Sequence, residues 1–183
     1  LSGGSVIPTF GGVFDGGGHT ISGLALTAEG PHQGLFRYVQ EGAVIRHLNV
    51  AGRVDPGGEW EALGGVAGVN RGTITGCAFQ GVVRGGGAAG GIAGVNEASG
   101  QIVLCTAGGI VSGGYSTGGI AGENYGGLSQ CTNRALVNTQ EADASPELDG
   151  IDWGDLNSTR NFPACTDTGG IAGYSKGSIQ NCV

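Results

Sequence analysis

The chain has 183 residues, 42 of them Gly and none Met, with 39% hydrophobic residues and a formal net charge of −7 at pH 7. That length fits one domain with a continuous core, and regular Val and Ile placement within the Gly excess argues against a disordered low-complexity chain. No three-residue Gly period points to collagen, no apolar run of roughly 18 residues points to a membrane span, and no basic stretch offers a footprint for nucleic acid or anionic membrane.

Residues 1–50 read as atypical opening coils. Val6-Ile7-Pro8-Thr9-Phe10 has the pattern of a short extended segment. From Gly11 to Ile21 the chain reads as strand, tight turn, strand, with Asp15-Gly16 as the turn signal. Ser22 to Leu26 alternates toward a further strand. Gly34-Leu35-Phe36-Arg37-Tyr38-Val39 then stands where later units have a Gly-Gly-Val-Ala-Gly sequence, but with bulkier residues. Val44 to Val50 aligns with the stretch Gly72-Thr73-Ile74 to Phe79, and Leu48 falls where later units have Cys. A first unit that differs from its successors is expected of one that caps a stack.

Residues 51–137 hold the regular repeats. Gly64-Gly65-Val66-Ala67-Gly68-Val69-Asn70 recurs as Gly90 to Asn96, as Gly118 to Asn124 and, slightly changed, as Gly169 to Ser175. Each copy is followed by a polar turn, an Ile or Leu, and a Cys. The Cys positions 77, 105, 131 and 182 are separated by 28, 26 and 51 residues. Short Val/Ile/Thr-rich strands with Gly/Asn corners at this period predict an all-β chain, a right-handed parallel β-helix of about five to six coils with three short strands per coil; no helical periodicity competes. The Gly residues are expected at corners of positive φ and where coils approach closely. Asn70, Asn96 and Asn124 are expected at one corner, in the left-handed region or bonded to neighbouring backbone.

The spacing of 51 marks an acidic inserted loop over residues 138–168, followed by a truncated last repeat at 169–183. The inserted stretch carries seven acids against one base and lacks the repeat landmarks; a degenerate coil is the alternative. Insertions on a solenoid sit where they touch something. Starting at Leu1 and stopping within a repeat, the chain reads as a piece of a larger parent chain.

Cys77, Cys105, Cys131 and Cys182 share one repeat position, so stacking places them in a vertical ladder. Leu48 in the same slot marks that position as apolar, which favours reduced, buried thiols over disulfides or a metal site. Cys165 lies apart from them. His19 in a turn, His32 in a loop and His47 on an outward strand face make no catalytic or metal-binding set. Asp149, Asp152 and Asp155 are candidates for binding, with Ca²⁺ as the one conceivable cofactor, although their spacing is not that of an EF-hand. Trp153 in the same stretch and Trp60 in the loop around Asp55, Glu59 and Glu61 are candidates for contact with sugar or protein; each is equally suited to pin its own loop to the wall. Asn157-Ser158-Thr159 matches a glycosylation sequon. Glu97 and Glu123, expected at successive corners, are isolated, and no paired acids of a glycosidase stand out.

Two motifs carry a family resemblance. Phe10 to Leu24 resembles the F-x-G-x-F-D-G-x-G-x-T-I-x-x-L opening of Gly-rich bacterial surface proteins. The Gly-Gly-Ile-Ala-Gly-x-Asn units followed by Ile-x-x-Cys are similar to GLUG-type repeats. Such repeats occur in adhesin-like proteins and in the non-catalytic β-helical part of IgA-cleaving zinc metalloproteases, whose zinc motif has no counterpart here. The resemblance implies a bacterial cell-surface or secreted setting and a stalk or adhesion module that contacts host protein or glycan. A carbohydrate-active β-helix and a pure spacer are the alternatives.

Overall fold

The computed structural model describes residues 7–58, 60–138 and 167–183. Among them there is no helix, and every strand pairing is parallel. The chain winds as a β-solenoid of about five turns. Coil 1 contains β1 (Ile7–Phe10), β2 (Val13–Asp15) and β3 (Thr20–Leu26); coil 2 contains β4 (Phe36–Val39), β5 (Val44–Arg46) and β6 (Asn49–Val54). Coil 3 runs through β7 (Leu63–Gly64), β8 (Ala67–Asn70), β9 (Thr73–Thr75) and β10 (Ala78–Arg84). Coil 4 repeats it as β11 (Ala89–Gly90), β12 (Ala93–Asn96), β13 (Gln101–Val103) and β14 (Thr106–Ser112). Coil 5 follows as β15 (Ser116–Gly118), β16 (Ala121–Asn124), β17 (Gly127–Ser129) and β18 (Thr132–Val137). The last coil has β19 (Asp167–Gly169), β20 (Ala172–Ser175) and β21 (Ser178–Gln180).

These strands stack into four sheets. Sheet I is β1-β4-β8-β12-β16-β20, sheet II is β2-β5-β9-β13-β17-β21, sheet III is β3-β6-β10-β14-β18, and sheet IV is β7-β11-β15-β19. The three strands expected per coil form sheets I to III. The additional strands, in sheet IV, are only two or three residues long and end on the first Gly of each repeat unit. Asp15-Gly16 turns no hairpin: β2 pairs with β5 and β3 with β6, so this turn is a coil corner.

Register makes each repeat position a column. Ile45, Ile74, Ile102, Leu128 and Ile179 stack in sheet II, and the first four are fully buried. Phe79 is followed in its column by Ala107, which leaves room for a large side chain beside a small one. At coil 1 the interior is closed by Phe10, Phe14 and Phe36, whose ring centroids lie 5.2 to 6.3 Å apart in tilted and edge-on pairs, an arrangement favoured by the aromatic quadrupole.

The corner into sheet III is left-handed in coil after coil, at His47 (φ 50°), Gly76 (59°), Leu104 (55°), Gln130 (54°) and Asn181 (52°). His47 therefore occupies a corner, not a strand face. Asn70, Asn96 and Asn124 have no positive φ; Asn70 and Asn96 bond the neighbouring backbone at Gly72 and Gly100, and their amides also link the coils. Asn70 Nδ2 donates to Asn96 Oδ1 (2.8 Å), Asn96 Nδ2 to Asn124 Oδ1 (2.8 Å), and Asn124 Nδ2 to the Ser175 hydroxyl (3.1 Å). This ladder is fully buried through the three Asn, as hydrogen-bonded polar groups can be.

The coils on either side of the acidic stretch are immediate neighbours: Ser116, Thr117 and Gly118 pair with Asp167, Thr168 and Gly169, and sheets I and II continue likewise. Asp167 and Thr168 thus belong to β19. Asn138 joins the two ends, donating from Nδ2 to the Thr168 hydroxyl (2.8 Å) and to the Gly113 carbonyl (3.3 Å), while Gly113 N–H donates to Asn138 Oδ1 (3.0 Å).

Candidate functional site: a tyrosine and carboxylate groove

Sheet IV folds back against the outer side of sheet I, and glycine permits the close approach. A methyl group at Gly94 would collide with the Ala62–Leu63 backbone, and one at Gly122 with the backbone of Ala89 and Ser116. Beside this seam runs an open groove of about 550 Å³, within the size range of ligand clefts. One wall comes from residues at the start of sheet IV: Glu61, Ala88, Tyr115, Ser116 and Asp167. The other comes from the residue after each seam Gly in sheet I, namely Val95, Glu123 and Tyr174, with Tyr125 beyond. With coils about 4.8 Å apart, the distance from His32, ahead of coil 3, to Asp167 in the last coil is about 19 Å.

Its two ends differ. At one, Tyr38 OH and His32 Nδ1 are 2.9 Å apart, and the Arg37 guanidinium carbon lies 5.9 Å from the Tyr38 ring centroid. Burial first, then the Arg37 charge, hold the His32 pKa below its ordinary value, so this imidazole is neutral at pH 7. At the other end Tyr125 OH donates to Glu123 Oε2 (3.0 Å), and this bond raises the Tyr125 pKa. The Tyr125 and Tyr174 rings pack at 6.0 Å, and Lys176 Nζ lies 5.7 Å from the Tyr174 ring centroid. Tyr115 is 57% exposed. Among the described residues lining the groove are three carboxylates and no Lys or Arg.

The sequence-derived candidates are distributed otherwise. Trp60 is partly buried and packs on the core, with its buried indole N–H unpartnered. Trp153, Asp149, Asp152 and Asp155, and with them the calcium suggestion, lie outside the described residues, as do Glu59, Cys165 and the sequon. Asp55 pairs with Arg53, Glu97 lies 3.7 Å from Arg71, and Glu123 sits within β16, not at a corner. The groove tyrosines were not singled out by sequence reasoning. Their signal was present as a departure from the repeat: Tyr174 stands in the register of Val69, Val95 and Glu123.

Inside the solenoid, Cys77, Cys105, Cys131 and Cys182 are free thiols in one column, the first three buried. Each of those three has two backbone carbonyls within reach of its single S–H. Cys105 Sγ, for example, reaches the carbonyls of Val103 (3.3 Å) and Ile74 (3.5 Å). The neighbouring thiols of Cys131 and Cys77, with burial, push the Cys105 pKa well above the ordinary value. Hydrogen bonding with the Cys105 thiol lowers the Cys77 pKa and lowers that of Cys131 to about 7; burial limits access to these three thiols, whereas Cys182 is only part-buried. Among the described residues no group of three or more His, Cys, Asp or Glu is arranged to hold a metal ion, and no helix is long and apolar enough to cross a membrane. A scan against protein-family models, a search of curated proteins and a search of solved structures each returned no match.

Proposed function

We propose that this chain is a non-catalytic β-helical recognition module of a bacterial cell-surface or secreted protein, holding host protein or glycan along the groove. The observation that carries this reading is the groove itself: exposed and part-exposed tyrosines and carboxylates set along the solenoid on walls fixed by backbone stacking. Tyrosine gives a large contact area for little loss of side-chain entropy, and a rigid wall keeps the contacts preorganised. The surface setting follows from the GLUG-like repeats.

The test is binding of the purified chain to an array of glycans and host-matrix proteins, beside a Tyr115→Ala/Tyr125→Ala/Tyr174→Ala variant. A second variant has residues 139–166 replaced by a short Gly/Ser turn. Binding by the parent and the second variant, but not by the tyrosine variant, places recognition in the groove. Loss only on replacing 139–166 moves it to the acidic stretch, and silence from the parent leaves a spacer. Glu123 and Asp167 share the groove, which keeps a carbohydrate-active enzyme as the second reading; polysaccharide turnover by the parent, lost in Glu123→Gln, would decide for it.

A further inference from the structure

We infer that the groove takes a cationic ligand, an extended peptide segment presenting Lys or Arg side chains along the solenoid axis. This rests on the reading of the groove as the recognition site and adds the chemical class of its occupant.

Charge complementarity comes first. Glu61, Glu123 and Asp167 enter the groove from coils 3, 5 and 6. The lining His32, held neutral by burial, does not offset them. Hydroxyl donors are present on Tyr115, Tyr125, Tyr174 and Ser116, but the charged groups of the lining are all carboxylates, and they stand beside tyrosine ring faces. Both suit a cation, the first by charge-assisted hydrogen bonds and the second by cation–π attraction.

The molecule already uses this chemistry on itself. Lys176 lies over the Tyr174 ring and Arg37 over Tyr38, at 5.7 and 5.9 Å. Between those two ends, the Tyr115 ring is exposed and no lining cation among the described residues covers it. The shape agrees as well. A length of about 19 Å, four coil spacings, matches about six residues of extended chain, with acidic and aromatic side chains entering from coils 3, 5 and 6 and only Gly87, Ala88 and Val95 from coil 4.

The experiment titrates the whole chain with three probes, hexalysine, hexaglutamate and the neutral hexasaccharide of N-acetylglucosamine, by calorimetry and by NMR of the groove tyrosines. Hexalysine is expected to bind, to shift the Tyr115, Tyr125 and Tyr174 signals, and to weaken as salt is raised. A Glu61→Gln/Glu123→Gln/Asp167→Asn variant should bind it about 30-fold more weakly, taking about threefold for each exposed charge pair. Asp167→Lys alone, at an exposed position, should cost about tenfold and keeps the test open if the triple variant misfolds. Hexalysine binding that is unchanged in these variants, or that leaves the tyrosine signals unmoved, overturns the inference, because the attraction would then lie elsewhere on this acidic chain. Groove binding of the hexasaccharide in place of hexalysine overturns the cationic class and preserves the recognition site. Binding of none of the probes at the tyrosines, together with silence on the array, overturns both.

Discussion

The interior of the solenoid and its groove are built from the same coils but follow opposite rules. Inside, one residue type fills one slot repeatedly: Asn at 70, 96 and 124, Cys at 77, 105 and 131, and Ile at 45, 74 and 102. On sheet I the column that reaches the groove instead reads Val69, Val95, Glu123 and Tyr174, of which the last three line it, with Tyr125 beyond. Stacking at about 4.8 Å gives each interior side chain nearly the same surroundings as its neighbours above and below, so one solution serves all coils. A wall facing water carries no such requirement, and its side chains are free to differ from coil to coil.

The sharpest way to break the interior is Gly109→Ala. Gly109 has φ 97°, and an added methyl would run into the Gly81 carbonyl oxygen of the coil below. Backbone strain and overpacking together should cost about 4 kcal/mol, read as a fall in the denaturant midpoint. Next comes Asn96→Ala, which removes the centre of the Asn ladder. It strips partners from Asn70 and Asn124 and from the Gly100 carbonyl, and should cost about 3 kcal/mol as buried polar groups lose their bonds. The smallest interior effect is expected for Cys105→Val. If the slot is apolar packing, as Leu48 in the same column indicates, stability should change by less than about 1 kcal/mol. A loss of several kcal/mol would show that the thiol hydrogen bonds matter, and would blur the contrast between Asn and Cys columns.

The interior was legible in the sequence because it repeats. A period of 26 to 28 residues with Cys in fixed phase located the columns, and the alignment of Leu48 with Cys77 agrees with the observed register. Two local features were not legible. The left-handed corners at His47, Leu104 and Gln130 carry no Gly or Asn signal; stacking imposes a conformation that costs about 1–2 kcal/mol for such residues. The Asn amides bond neighbouring backbone as expected, at Gly72 and Gly100, but their additional coil-to-coil ladder depends on burial that the spacing does not reveal. The groove escaped sequence reasoning for a different reason. Glu61, Tyr115 and Asp167 come from different coils, each as a departure from what the repeat has at that phase, and they meet Glu123 and Tyr174 only because sheet IV folds onto sheet I. Fixed spacing finds what recurs and passes over what occurs once.

The Asn138 clasp to Gly113 and Thr168 has a consequence for how this scaffold tolerates change. Departure and return of the chain are pinned at one place, on coils that already stack directly on each other. A change in the length of chain between Asn138 and Asp167 is therefore expected to leave the stacking of these two coils in place, at a loop-closure cost of about 0.6 kcal/mol for each doubling; the denaturant midpoint of length variants checks this.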